Sequence, residues 1–366
     1  MKKIAIITML GNNYGACLQA YALQRFLEIN GFFVEQIDFY PENSTSNKKK
    51  ISKVLSIGIT GFLDTILTRK YNKIRSIKFN YFRKEYLRIN EYKYHKEDIT
   101  LSNDKYSIFI CGSDMIWSEE FLKDWYFYYL GFVCDNKRIA YAPSFGSGLI
   151  SKNNMDLCEN YLKKFDYLSC REQSGCEFIS KNFDLKAINA CDPTLLLPSS
   201  EWDHLIESNS YSNINKEFVL AYLFGRENKK RKQLYKRIKR KYDLSFIPFA
   251  REQFKDHQNN LSVSSFLYLF KNANFIITNT FHGLVFSLIF KKPFVVLKRE
   301  EDRWGKYSDR ITSLLKKLDL EYRYLFPEEV DINLLMDIDY LKINKILDKF
   351  RQESICYLLS AVGDED

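Results

Sequence analysis

Short apolar runs alternate with longer, helix-periodic segments along most of the chain. The first apolar run covers residues 3–8 and is followed by a loop with two glycines, a helical stretch over 16–30 and a second apolar run over 33–40. A short apolar run predicts a buried strand, and the order strand, loop, helix, strand predicts a parallel crossover unit. A basic segment over residues 48–98 interrupts this unit.

The alternation resumes beyond residue 98 and predicts a second α/β unit after the polar stretch 208–216. Further strands are predicted at residues 106–111, 138–142, 167–170, 187–190, 218–223, 244–248, 275–278 and 293–297. Helices are predicted near residues 229–241, 262–273, 283–291 and 338–360. We therefore predict an α/β fold of two Rossmann-like domains that face each other across a cleft. Their predicted limits are 1–207 with a basic helical insertion at 48–98, 208–335, and a C-terminal helix at 336–366.

The composition is that of an ordinary globular protein, with 46% hydrophobic and 28% charged residues among 366. The eight cysteines form no CxxC pair, so we expect reduced, buried thiols, and the four scattered histidines give no support to a metal site. The apolar stretch after Met1 is too short for a signal-peptide core. The weakly polar run 55–67 is shorter than the roughly 20 residues of a membrane span. A cytoplasmic protein is therefore expected.

Positive charge is concentrated in two segments. The formal net charge is +9, yet residues 48–88 hold twelve Lys/Arg against two acids, and residues 226–241 hold ten bases against Glu227. Such clustering indicates local contact with an anionic surface and argues against a nucleic-acid-binding protein. Apolar positions between the bases of 48–88 are compatible with peripheral contact with the inner face of a membrane. The alternative is a basic helical hairpin with a solvated face.

The sharpest motif, Thr278-Asn279-Thr280-Phe281-His282-Gly283, lies between a predicted strand and a predicted helix. Such a turn directs backbone N–H groups and the positive end of the helix towards an anion. A histidine side chain changes charge near neutral pH, so it can donate a hydrogen bond or a proton at this turn. The alternative is a histidine that caps the helix without taking part in chemistry.

Nine short motifs follow one another along residues 3–323. They are Asn13-Tyr14-Gly15-x-x-Leu18-Gln19-Ala20-Tyr21-Ala22-Leu23-Gln24, Gly112-Ser113-Asp114-x-x-Trp117, Tyr141-Ala142-x-Ser144-Phe145-Gly146, Ser169-x-Arg171-Glu172, Asp192-Pro193-Thr194-Leu195-Leu196, Asn272-Ala273, Thr278-x-Thr280-Phe281-His282-Gly283, Lys292-Pro293-Phe294 and Arg310-Ile311-x-Ser313-Leu314-Leu315. In this order they resemble the motifs of the polysaccharide pyruvyltransferases. The resemblance implies a fold like that of B-type glycosyltransferases. It also implies transfer of the pyruvyl group of phosphoenolpyruvate onto two hydroxyls of a bacterial surface sugar, as in capsule or exopolysaccharide biosynthesis.

The resemblance also implies roles for single residues. His282 is the expected general acid, because C3 of the enol must gain a proton. Arg171 is expected to act at the anionic donor, although a structural ion pair with Glu172 is the alternative. Further expected donor contacts, which supply cations and N–H groups, are Thr280, Phe281, Gly283, Lys298, Arg303 and Arg310. Thr280 stands where some family members have arginine, so a guanidinium contact at that point is not implied.

The sugar acceptor, such as a lipid-linked glycan, is expected on the N-terminal side. Candidate contacts are Asn13, Tyr14, Gln19, Ser113, Asp114 and Ser144. Asp114 is a candidate base for the acceptor hydroxyl, or else a helix cap. The motif at 192–194 is interpreted as fixing the crossing between domains, and no cofactor besides phosphoenolpyruvate is expected. The alternatives are a glycosyltransferase of the same fold that uses a nucleotide sugar, and a non-catalytic glycan-binding paralogue.

Overall fold

The computed structural model describes residues 3–39, 59–146, 150–206, 217–225, 227–250, 261–299 and 309–363. Arg303, the predicted linker 208–216 and the first part of the basic insertion, residues 48–58, lie outside the described residues. None of the helices in these ranges combines the length and the apolar character that a membrane-crossing segment needs.

The N-terminal domain is built on a parallel sheet whose strand order is β2-β1-β3-β4. A short parallel pair, β5-β6, continues this layer, because Tyr167 just before β5 bridges Ile139 of β4. The two central strands, β1 and β3, are buried along almost their whole length, as expected where helices cover both faces of a parallel sheet, whereas β2 and β4 at the two edges are buried at half of their residues. The strands are β1 (Lys3–Ile7), β2 (Phe33–Gln36), β3 (Ile108–Cys111), β4 (Lys137–Ala140), β5 (Ser169–Cys170) and β6 (Ile188–Asn189).

Helices pack around this sheet and hold its loops. The helices of this part of the chain are α1 (Tyr14–Ile29), α2 (Ile59–Tyr86), α3 (Trp125–Tyr128), α4 (Met155–Leu162), α5 (Gln173–Phe183) and α6 (Ser199–Asp203). The side chain of Asn13 caps α1 by accepting a hydrogen bond from the N–H of Gly15 at 2.9 Å. The predicted helical insertion contains α2, which uses arginines to hold the loop before α1: Arg83 donates to the carbonyl of Leu10 at 2.8 Å, and Arg75 to that of Asn12.

The C-terminal domain has a second parallel sheet, in the order β11-β10-β9-β7-β8. Its strands are β7 (Phe218–Leu223), β8 (Ser245–Ala250), β9 (Phe275–Thr278), β10 (Phe294–Leu297) and β11 (Tyr324–Leu325). Its helices are α7 (Lys229–Tyr242), α8 (Val263–Asn272), α9 (Phe281–Ile289) and α10 (Asp309–Lys317). The four strands predicted for this domain are confirmed. The two-residue strand β11 was not predicted, because it is too short to give a periodic pattern.

The final helix, α11 (Tyr340–Gly363), returns to the N-terminal domain. The Tyr357 hydroxyl donates to the carbonyl of Ala140 at 2.9 Å, and the Ser354 hydroxyl accepts from the N–H of Cys191 at 2.9 Å. Arg351 donates to the carbonyl of Leu195 at 2.6 Å. The predicted C-terminal helix is therefore present, and it contacts β4 across a sequence separation of 217 residues.

The two domains face each other with the carboxyl ends of their strands, which confirms the predicted architecture. Several polar contacts cross the boundary. The hydroxyl of Ser174 donates to Asp309 at 2.6 Å, and Lys271 pairs with Asp203 at 2.7 Å. The Tyr14 hydroxyl donates to the carbonyl of Leu261 at 2.8 Å. These contacts fix the width of the cleft in which the polar motifs lie.

Candidate active site

A cavity of about 410 Å³ lies in the cleft between the two domains. The N-terminal domain contributes the loops after β1 and β3, and the C-terminal domain contributes the ends of β7, β9 and β10 together with α10. Ligands of parallel α/β domains bind at such strand ends. The lining residues are Met9, Gly11, Asn12, Asn13, Ala16, Asp114, Met115, Glu120, Phe121, Tyr222, Phe224, Thr280, Phe281, His282, Arg299 and Arg310.

The turn from β9 to α9 carries three of these residues and is built by hydroxyl groups. Thr280 caps α9, because its side-chain oxygen accepts from the N–H of Gly283 at 2.9 Å. A Cβ at Gly283 would lie 2.0 Å from Oγ1 of Thr278, so this close approach requires glycine. The N–H groups of the first helical turn have no partner within the helix. Thr280 occupies the N–H group of Gly283. The N–H groups of Phe281 and His282 are left at the end of α9 that borders the cavity.

The His282 imidazole is held between the two domains. A Cβ added at Gly15, in the first turn of α1, would lie 2.0 Å from Nδ1 of His282, so the ring occupies the space that a side chain would need. On its other side, Nε2 lies 3.6 Å from Oδ2 of Asp192. The side chain is 11% exposed. The sequence predicted His282 at the site, and the structure places it in the wall of the cavity.

Asp192 is fully buried and sits at the centre of a charged network. Its Oδ1 accepts from the N–H of Thr194 at 3.0 Å and from the Thr194 hydroxyl at 2.6 Å. Its Oδ2 accepts from Nη1 of Arg171 at 2.8 Å. Burial by itself would raise the pKa of Asp192, but His282, Arg171 and Thr194 outweigh it and hold the pKa well below its usual range. The carboxylate is therefore charged throughout the neutral range.

Arg171 was predicted to contact the donor, and the structure places its guanidinium behind the cavity wall. Its side chain is 2% exposed and surrounded by three carboxylates: Asp192 at 2.8 Å, Glu172 at 3.4 Å and Asp114 at 3.7 Å. It also lies 4.6 Å from the ring centre of Phe281, which lines the cavity. In this arrangement Arg171 orders the carboxylates beneath the site and does not itself line it.

Two other arginines line the cavity. Arg299, just after β10, is anchored through 2.8 and 3.2 Å hydrogen bonds to the carbonyl of Asn279. Burial, with the charge of Arg310 as a smaller contribution, lowers the pKa of Arg299 to about 10, so it remains cationic at neutral pH. Nη1 of Arg310 lies 4.0 Å from Oδ1 of Asp114 on the opposite wall. Lys298, the predicted donor contact, instead places its ammonium 5.6 and 5.1 Å from the ring centres of Tyr324 and Phe326.

The predicted acceptor contacts divide into two groups. Asn13 and Asp114 line the cavity. Asp114 has a left-handed backbone (φ 73°), and its Oδ1 accepts from the N–H of Met115 at 2.9 Å, which aims the carboxylate along the cavity wall. No helix begins directly after Asp114, so the alternative that this residue caps a helix has no support.

The other four predicted acceptor contacts are buried and use their polar groups internally. Gln19 donates to Thr8 at 2.8 Å and accepts from the N–H of Ser113 at 2.9 Å. The remaining hydrogen bonds run from Tyr14 to Leu261 (2.8 Å), from Ser113 to Ala142 (2.5 Å) and from Gly146 N–H to the Ser144 hydroxyl (3.0 Å). None of the four lines the cavity. These side chains shape the loops that carry Asn13 and Asp114.

Sequence reasoning missed Arg299, the aromatic wall of Tyr222 and Phe224, and the contact between Asp192 and His282. The signal for Arg299 was its position next to Lys298 at the end of a predicted strand. Successive side chains of a strand point to opposite faces, so one of the two was expected to face the cleft. The pattern could not say which of the two faces the cleft. The contact of Asp192 joins residues 90 positions apart in different domains, which periodicity does not reveal.

A model of the family described as polysaccharide pyruvyl transferase matches residues 13–301 of the chain. Among solved structures, the chain is similar to the UDP-GlcNAc 2-epimerase of Methanocaldococcus jannaschii in complex with UDP-GlcNAc and UDP, with 13% identity, coverage of 96% of this chain and 100% of that chain, and a TM-score of 0.49. It is also similar to the wall teichoic acid polymerase TagF, with 11% identity, coverage of 99% and 89%, and a TM-score of 0.49. No curated protein matches the sequence significantly.

Proposed function

Because the chain belongs to the polysaccharide pyruvyl transferase family, we propose that it transfers the pyruvyl group of phosphoenolpyruvate onto two hydroxyls of a sugar, forming a pyruvate ketal in the biosynthesis of a bacterial surface polysaccharide. The observation that carries this proposal is the set of residues that line one cavity. A histidine, two arginines and the N-terminal end of a helix line it together, opposite an aspartate.

The donor has two anionic groups, a phosphate and a carboxylate, and the C-terminal wall offers matching groups. Arg299 and Arg310 supply guanidinium groups, which suit planar, bidentate recognition of such oxygens. The N–H groups of Phe281 and His282 and the positive end of α9 favour a negative charge at the same place. We place the donor against this wall, with no cofactor beyond phosphoenolpyruvate itself.

The proposed reaction needs one proton donor and one proton acceptor. The first sugar hydroxyl attacks C2 of the enol while His282 gives a proton to C3, which becomes a methyl group. The carboxylate of Asp114 takes the proton of the attacking hydroxyl. Phosphate then leaves C2, and the second hydroxyl bonds to the same carbon and closes the ketal, its proton leaving with the phosphate. General acid–base catalysis of this kind contributes about 10²- to 10⁴-fold to the rate.

The acceptor sugar is placed against the N-terminal wall, between Asn13 and Asp114. The rings of Tyr222 and Phe224 form an apolar surface in the same cavity, which suits the face of a sugar ring. A lipid-linked glycan is the proposed form of this acceptor, and residues 48–88 are the proposed point of peripheral membrane contact. Part of that charge is already used inside the protein, because Arg75 and Arg83 of α2 hold the loop before α1.

The test is release of inorganic phosphate from phosphoenolpyruvate over a panel of lipid-linked glycans, with mass spectrometry of the glycan product. We expect release that depends on the acceptor, and a product that carries one pyruvyl group. His282→Gln should abolish most of the release, whereas His204→Gln, the same change at an exposed histidine, should not.

Parallel titrations with nucleotide sugars separate the alternatives. Binding of a nucleotide sugar without any phosphate release from phosphoenolpyruvate would favour a glycosyltransferase and contradict the proposal. Glycan binding without either reaction, unaffected by His282→Gln, would favour a non-catalytic paralogue.

A further inference from the structure

His282 and Asp192 meet across the domain boundary, and both are withdrawn from solvent. His282 lies in the first turn of α9 in the C-terminal domain, and Asp192 follows β6 in the N-terminal domain. Their closest atoms, Nε2 and Oδ2, are 3.6 Å apart. Nε2 is buried and has no hydrogen-bond partner among the described residues, and the Asp192 carboxylate is the acceptor that faces it.

We propose that Asp192 is a positioning residue for His282: its carboxylate orients the imidazole, keeps the proton of the neutral ring on Nε2, and stabilises the ring when it is positively charged. A carboxylate commonly fixes the orientation and tautomer of a histidine in this way. The inference rests on the proposed function only for the statement that His282 is the general acid.

The carboxylate is itself fixed, which a positioning role requires. Thr194 binds Oδ1 through two hydrogen bonds, and Arg171 binds Oδ2 at 2.8 Å. Arg171 is in turn held by Glu172 and Asp114. Rotation of the carboxylate would break at least one of these buried contacts, so the direction in which Oδ2 faces the ring is set by the fold. This network gives the buried Arg171 a function without any contact to substrate.

With Nε2 directed at Asp192, Nδ1 is the ring nitrogen left for the reaction. It lies against Gly15, whose missing side chain gives the ring its space beside the cavity. Nδ1 carries a proton together with Nε2 only in the positively charged ring, which is the form that an acid needs. Asp192 is the carboxylate that faces Nε2, at 3.6 Å, and the charged groups linked to it are Arg171, Asp114 and, through Asp114, Arg310.

The pair also couples chemistry to the arrangement of the domains. Because each domain supplies one partner, the contact exists only when the domains face each other as they do here. A wider cleft would separate Nε2 from Oδ2 and would leave the ring without its orienting group.

The test is nuclear magnetic resonance of ring-labelled histidine in the substrate-free protein. The chain has four histidines, so the His282 signals are assigned by their loss in His282→Gln. At a pH where the wild-type ring is neutral, we expect nitrogen shifts of the tautomer protonated at Nε2. In Asp192→Asn we expect a larger share of the neutral ring to carry its proton on Nδ1, because the carboxylate that favours a proton on Nε2 is lost.

Glu172→Gln is the matched control, because it removes another buried carboxylate from Arg171 without facing the ring. It should leave the tautomer of the ring unchanged. An unchanged tautomer in Asp192→Asn, or an equal change in Glu172→Gln, would overturn the proposal. Should Asp192→Asn fail to fold, the wild-type nitrogen shifts decide alone, since a neutral ring protonated at Nδ1 contradicts it.

The same variants separate this inference from the proposed function. The tautomer of the ring is measured without substrate, so this inference stands or falls independently of phosphate release from phosphoenolpyruvate. If the transfer assay succeeds, Asp192→Asn should lower kcat with little change in the KM for phosphoenolpyruvate, and Asp192→Glu should restore part of kcat. A rise in KM with kcat unchanged would contradict a positioning role at the general acid and would also overturn the proposal.

Discussion

Replacement of Gly15 by alanine tests how closely the two domains meet at the proposed general acid. The added Cβ would lie 2.0 Å from Nδ1 of His282, and ordinary contact begins near 3.4 Å, so the ring would have to retreat by about 1.4 Å. A misplacement of about 1 Å in a catalytic geometry can cost roughly 10²-fold in rate. We therefore expect kcat/KM for pyruvyl transfer to fall about 10²-fold in Gly15→Ala. Overpacking of this kind also costs about 1–3 kcal/mol in the free energy of unfolding.

The matched control is Gly11→Ala, which adds the same methyl group to the same wall of the cavity. A Cβ at Gly11 meets no atom within 4 Å, so its rate should stay within roughly a few-fold of the wild type. Phosphate release gives the rate of each variant, and urea unfolding monitored by circular dichroism gives the stability. A folded Gly15→Ala protein with wild-type turnover would refute the close packing of the imidazole against α1.

Four further predictions follow from the charges. Arg299→Ala should weaken phosphoenolpyruvate binding about ten- to a hundredfold in calorimetry, whereas Lys298→Ala, one residue earlier, should not. Arg171→Met should lower the free energy of unfolding by about 3–5 kcal/mol in urea titrations, because it leaves buried carboxylates unpaired. The pKa of Asp192 is lower in the folded protein than in the unfolded chain, so the charged carboxylate stabilises the fold. This contribution to the free energy of unfolding is complete above the unfolded pKa of about 3.9 and is lost as pH falls. In urea titrations, the stability difference between wild type and Asp192→Asn should therefore shrink below about pH 4. Residues 48–88 should promote sedimentation with anionic vesicles that weakens at high salt, and equal sedimentation with neutral vesicles would contradict the electrostatic basis.

The sequence predicts the architecture well because the signals for it are local. Buried parallel strands appear as continuous apolar runs, and the polar motif at 278–283 follows one of them directly, so the placement of His282 at a strand end needs no tertiary information. The same logic places Asp114 at the end of β3.

The sequence does not predict which polar side chains face the cleft. Arg171 and Lys298 follow strands as the lining residues do, yet one is buried under three carboxylates and the other points towards β11. Burial of a charge depends on partners supplied from distant parts of the chain. Gln19 illustrates the same limit, because its motif suggests a ligand contact while Thr8 and Ser113 occupy its amide.

The return of α11 to the N-terminal domain separates the order of synthesis from the order of assembly. The N-terminal domain emerges first from the ribosome, but the contacts of Tyr357 with Ala140 and of Ser354 with Cys191 wait for residues 340–363. The C-terminal domain, by contrast, is continuous in the chain and needs no later segment to close its sheet. Domains usually fold as units in the order in which they are made. In this protein the domain made second has all its strands in place before the domain made first receives its last helix.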